Sequence, residues 1–138
     1  MTKFYEYELQ KAARDIIENS LKLKKDETLI ITADTESDER VVDATASAAH
    51  AVGAKPLVIW NPAPRGIGKD ADPMIPVDAL SAVLKEADAW VEYNNKWLLY
   101  STPCERANNE NEKLRYLCLV SSDVDMMVRM VARVDREV

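Results

Sequence analysis

The chain has 138 residues, of which 47% are apolar and 30% charged, enough for one hydrophobic core of ordinary size and one domain, residues 1–138. Its 24 acidic residues outnumber 18 basic ones and leave a net charge of -6, a field that repels phosphate backbones and argues against nucleic acid as a partner. No apolar run approaches the ~20 residues needed to cross a bilayer, and the amino terminus, Met1-Thr2-Lys3-Phe4-Tyr5-Glu6, lacks the apolar stretch of a secretory signal. Cys104 and Cys118 stand in no CxxC spacing, so the sequence supports neither a disulfide framework nor a zinc finger and reads as a cytoplasmic protein with reduced thiols.

In chain order, Leu9, Ala12, Ala13, Ile16, Ile17, Ser20 and Leu21 follow the spacing of one helix face. Thr28-Leu29-Ile30-Ile31-Thr32 has no polar alternation, as expected of a parallel strand covered on both faces. The N-cap formers of 33–38 precede a helix with a small inward face, Val41, Val42, Ala44, Thr45, Ala48, Ala49 and Val52. Gly53 is the expected left-handed stop, and Lys55-Pro56-Leu57-Val58-Ile59-Trp60 is the expected second buried strand, completing a right-handed βαβ unit.

Residues 61–76 hold Pro62, Pro64, Pro73 and Pro76 with Gly66 and Gly68, which predicts a long irregular excursion. Val77, Leu80, Val83, Leu84 and Ala87 mark a third helix, and Ala89-Trp90-Val91-Glu92-Tyr93 a third strand. Thr102-Pro103-Cys104-Glu105 has the pattern of a capping box, with Thr102 as N-cap, Pro103 at the first helical position and Glu105 at N3. The helix it opens is short and ends near Asn108 and Asn111. Residues 114–120 then form a fourth strand, and Ser121-Ser122-Asp123 caps a final helix with Val124, Met127, Val128, Val131 and Val134 inward. That helix is expected to lack a partner for its apolar side when the chain stops at Val138.

The alternation predicts an α/β fold, an open, doubly wound, mostly parallel four-stranded sheet with helices on both faces, of Rossmann or flavodoxin-like type. In such sheets ligands bind beyond the carboxyl ends of the strands, where strand order reverses. This nominates 34–38, the stretch from Asn61, 97–102 and Ser121-Ser122. The turn after the first strand is acidic and has no glycine, which argues against dinucleotide binding, and no P-loop pattern is present. The sole histidine, His50, lies on a helix among alanines, so neither a metal cluster nor a catalytic triad can be assembled. Asp34 and Asp38 are candidates for a cation or an amine as well as for helix capping. Trp97, Leu98, Leu99 and Tyr100 form an apolar and aromatic patch, either an interface or one wall of a pocket for a flat ligand.

Three stretches carry a resemblance: Thr28-Leu29-Ile30-Ile31-Thr32-Ala33-Asp34-Thr35, the helix ending Ala51-Val52-Gly53-Ala54-Lys55-Pro56, and Leu98-Leu99-Tyr100-Ser101-Thr102-Pro103. They resemble the amino-terminal domain of the thermophilic-type metallo-aminopeptidases (the leucyl aminopeptidase group) and of their relatives, the iron-dependent 2,5-dihydroxypyridine 5,6-dioxygenases. The resemblance implies a substrate-cleft and oligomerisation domain of a longer metal-dependent enzyme, this chain alone being inactive. A divalent metal (Fe, Zn, Co or Mn) would sit in a carboxy-terminal domain, with no cofactor or metal ligand in this chain. Implied partners are a small-molecule or peptide substrate and that carboxy-terminal metal domain or a homo-oligomer.

In those dioxygenases a Leu-Leu-His-Ser segment after the third strand borders the substrate. The matching residues are Leu98, Leu99, Tyr100 and Ser101, which makes Tyr100 the candidate catalytic residue and Asp34, Thr35, Trp97, Leu98, Leu99, Ser101 and Thr102 the candidate substrate-binding ones. A phenol stands where the family has an imidazole and titrates far higher, which weakens a base role at Tyr100. The competing readings are a stand-alone small-molecule-binding or interaction module without catalysis, and a self-contained enzyme using Tyr100 and Asp34.

Overall fold

A computed structural model describes residues 6–132. Four strands form one all-parallel sheet: β1 (Thr28–Asp34), β2 (Lys55–Asn61), β3 (Ala89–Glu92) and β4 (Arg115–Cys118), in the order β2-β1-β3-β4. Parallel strands need crossovers, and helices supply them on both faces. On one face lie α1 (Glu6–Asp15, continued by a π turn, Ile16–Ser20), α2 (Glu39–Ala51) and α5 (Val124–Met127, continued by a π turn, Val128–Ala132). On the other lie α3 (Val77–Glu86), α4 (Thr102–Glu110) and a 3-10 strap, Gly68–Met74.

The pleat explains the division. Leu29, Ile31, Ala33, Ala89, Val91 and Tyr93 point into the α1/α2/α5 core, while Ile30 and Trp90 point into the α3/α4 core. The predicted inward positions of α2 are buried except half-buried Val52, and their small size lets the helix lie close to β1. Gly53 has φ +84, the left-handed stop expected of it.

Several expectations need correction. β2 is an edge strand and not a buried one: Leu57 is 50% and Trp60 45% exposed, because β1 covers only one of its edges. Pro56 suits that place, since its missing N–H faces no neighbour. β1 runs to Asp34, two residues past the expected end, because Ala33 and Asp34 still pair with Trp60 and Asn61. The 61–76 excursion is not structureless but contains the strap. β3 and β4 are shorter than expected, and Ser20 is exposed.

The capping box is displaced by one residue. Ser101, not Thr102, is the N-cap of α4, accepting from the Cys104 N–H at 3.4 Å. The Thr102 hydroxyl instead donates to Asp72 of the strap at 2.5 Å, and Glu105 forms an ion pair with Lys69. The last helix is not left without a partner: Val124, Met127, Val128 and Val131 are buried in the same core as Leu9, Ala13 and Ile16 of the first helix. Val134 and residues 1–5 lie outside the described residues.

Candidate functional site

After β1 the chain crosses to α2 on one face, and after β3 it crosses to α4 on the other. The point between these neighbouring strands is the switch where the fold places a crevice. Thr32 of β1 pairs in register with Glu92 of β3, so both strands end at this point in a carboxylate, Asp34 and Glu92. Both are fully buried, and both hold the 96–101 loop.

Asp34 accepts the Lys96 N–H at 2.7 Å and the Glu36 N–H at 2.9 Å, while Ser37 Oγ donates to the Tyr93 carbonyl at 2.8 Å. Asp38, the N-cap of α2, accepts from the Arg40 and Val124 N–H groups at 3.0 and 3.2 Å. Each aspartate thus serves backbone donors in a different place. Glu92 accepts the Leu98 N–H at 2.5 Å on one oxygen and the Tyr116 hydroxyl at 2.5 Å on the other, with the Cys118 thiol at 3.8 Å.

Burial pushes the Glu92 carboxyl above the usual carboxylate range, and the Tyr116 hydrogen bond and the Leu98 N–H only partly oppose this. Burial, then the charge of Glu92, pushes the Tyr116 phenol well up. Burial likewise raises the Cys104 and Cys118 thiols, which keeps both protonated at neutral pH and removes them as nucleophiles. The Tyr116 ring stacks on Trp90 at 4.1 Å, and the Trp90 indole N–H donates to Thr32 Oγ1 at 2.9 Å, which ties β4, β3 and β1 together beside Glu92.

The loop sorts the candidate residues. Leu98 is buried in the α3/α4 core and Leu99 packs beside it, so neither belongs to an exposed patch. Trp97 is 37% and Tyr100 68% exposed. Tyr100 has φ +71, a left-handed backbone that a bulky residue rarely adopts. Ser101 is buried as the α4 cap, half-buried Thr102 is tied to Asp72, and exposed Thr35 accepts the Ala63 N–H at 3.1 Å. From outside, the strap presses on the loop. The Gly68 N–H donates to the Trp97 carbonyl at 2.9 Å, and a Cβ on Gly68 (φ +57) would lie 3.2 Å from the Leu99 carbonyl oxygen.

Sequence reasoning passed over two groups here. Glu92 could have been flagged as a lone acid in an otherwise apolar parallel strand. Asn94, two residues beyond it, gives no such signal, yet its amide is fully buried and both polar atoms lack a partner, as does Asn61 Oδ1 at the end of β2. Buried amides left unpaired call for a bound water or a ligand group. His50 is exposed on α2. Among the described residues no group of three or more His, Cys, Asp or Glu side chains is placed to hold a metal ion, and no helix is long and apolar enough to cross a membrane.

No family model and no curated protein matches the chain. Solved structures do. A 2,5-dihydroxypyridine dioxygenase from Pseudomonas putida KT2440 is 20% identical with a TM-score of 0.72, over 89% of this chain and 36% of that one. AmpT from Thermus thermophilus, an aminopeptidase, is 15% identical with a TM-score of 0.54, over 92% of this chain and 42% of that one. A LacI-family repressor from Corynebacterium glutamicum is 12% identical with a TM-score of 0.51, over 89% and 55%. The chain therefore spans roughly a third to just over half the length of these proteins. At these identities the likeness establishes a shared α/β fold and a fold-level relationship to a dioxygenase and an aminopeptidase.

Proposed function

We propose that the chain is the substrate-cleft domain of a larger metal-dependent enzyme, of the aminopeptidase or ring-cleaving dioxygenase kind, with the ligand seated beyond β1 and β3. One observation carries this reading: Tyr100, exposed and held in a left-handed backbone, sits on a loop fastened from below by two buried carboxylates. A connection with no task would not need a bulky side chain in that conformation. Trp97 and Tyr100 offer aromatic faces for a flat ring or an apolar side chain. Asp34, Ser101 and Thr102 shape the wall through their hydrogen bonds to this chain. In this reading the metal is assigned to a further domain or partner, and catalysis to the assembled enzyme in the cytoplasm.

Titration with 2,5-dihydroxypyridine and with leucine amide, read by tryptophan fluorescence, tests the reading. Saturable quenching by one of them, abolished in Trp97→Phe and weakened several-fold in Tyr100→Ala, is expected. No saturable change with either, in a chain that light scattering shows to be a tight homodimer, would favour the stand-alone interaction module instead.

A further inference from the structure

β2 is an outer strand of the sheet, and the direction of its main-chain groups can be followed along its length. The Lys55 N–H donates to the Glu27 carbonyl at 2.8 Å and the Ala63 N–H to Thr35 Oγ1 at 3.1 Å, both toward β1. Main-chain groups two residues apart on a strand face the same side. Those of Leu57, Ile59 and Asn61 therefore also face β1, and those of Pro56, Val58, Trp60 and Pro62 face outward. Proline has no N–H, so the free edge offers donor and acceptor together at two residues only, Val58 and Trp60. Among the described residues no strand pairs with them. Long exposed edges are usually blunted by charge, yet this one is uncharged from Pro56 to Pro62 and carries half-exposed Leu57 and Trp60. Beside it runs a groove of about 410 Å³, lined by Val42 and Ala46 of α2 and Val58 and Trp60 of β2, and rimmed by Glu39, Arg40 and Asp43.

We propose that a second copy of this chain pairs with the edge, β2 against β2 in antiparallel, about a two-fold axis at Ile59, which joins two sheets of four strands into one. This register opposes Val58 of each copy to Trp60 of the other, and both pairs exchange both main-chain bonds. Pro56 meets Pro62 at the two ends, where neither has a donor to lose. A shift of two residues either way would set a proline against Trp60 or Val58, so the prolines select the register. The edge is thus its own complement, as a two-fold interface requires. The groove fits the same partner. Trp60 of each copy lies over Val58 of the other, where there is room for an indole ring. The charges are complementary too, because Arg40 stands with Glu39 and Asp43 and each copy brings both signs to the axis. No like charges oppose each other along the paired strands. The pairing is independent of the ligand site, which lies beyond the ends of β1 and β3.

Sedimentation equilibrium over a concentration series, with amide hydrogen exchange at its two ends, tests the pairing. A monomer–dimer equilibrium is expected, with the Val58 and Trp60 amides exchanging freely in dilute protein and protected once the dimer fills. Trp60→Lys, at a half-exposed position, should weaken association by more than about tenfold and leave the amide NMR spectrum native elsewhere. Under mild oxidation Ile59→Cys should cross-link across the axis. Leu57→Cys, set against Asn61 of the other copy, should behave like the wild type, which has the same Cys104 and Cys118. A monomer at every concentration, or a dimer whose Val58 and Trp60 amides stay unprotected, would overturn the proposal. Cross-linking of Leu57→Cys as readily as Ile59→Cys would overturn it as well. If Trp60→Lys fails to fold, exchange in the wild type and the two cysteine variants still decide.

Discussion

Asn94 is the sharpest residue-level departure from ordinary packing, because a fully buried amide with no partner costs about 1–3 kcal/mol. In the ligand-free chain Asn94→Leu, close in size and without polar atoms, should raise the urea midpoint by an amount equivalent to about 1 kcal/mol. A loss of stability would show instead that a bound water already satisfies the amide. Tyr100 gives a complementary test. Its φ of +71 suits glycine and is hostile to a β-branched residue, so Tyr100→Val should cost ~1–2 kcal/mol, measured by thermal melting. Tyr100→Gly should melt at or above the wild type while losing the exposed ring, which separates a binding role from a folding one.

Among the elements, the start of β3 is tied to the start of β1 by Asp88, whose carboxylate accepts the Thr28 N–H at 2.8 Å and pairs with Lys113 at 3.3 Å. The Thr28 N–H, more than Lys113, holds this carboxyl below its usual range. A lowered folded-state value means stability that is present above the unfolded carboxylate range and lost as pH falls through the folded one. Asp88→Asn should therefore flatten the acid limb of the stability curve and cost about 1 kcal/mol at neutral pH by urea denaturation. At the opposite end of the sheet Met127 is fully buried against the first helix, and Met127→Ala should cost about 2–5 kcal/mol, the range for emptying a packed core position.

These elements also show how far the sequence could be read. The core face of α2 and the stop at Gly53 were legible because helical period and a left-handed cap are local properties. The exposure of β2 was not, since a parallel strand reads the same in the middle of a sheet and at its edge until the strand order is known. Capping of α4 by Ser101 depended on Asp72, thirty positions away, capturing the Thr102 hydroxyl. The nominated loop does lie at the switch point, but what holds it there, Glu92 with Tyr116 from a different strand, is a tertiary pairing with no periodic signature.

Across the whole molecule, the β2-β1-β3-β4 order has a kinetic meaning. Parallel neighbours cannot begin as tight hairpins, and the two strands beside the crevice are joined by a contact spanning sixty residues, from Thr28 to Asp88. Closing so long a segment costs more entropy than closing the β1–α2–β2 unit, so that unit is expected to gather first and β3 to dock onto it later. In pulse-labelled hydrogen exchange during refolding, the Lys55 amide, bonded to Glu27, should become protected before those of Tyr93 and Leu98. The crevice would then not exist until β3 had docked, and a nascent chain would have no ligand site until its third strand had arrived.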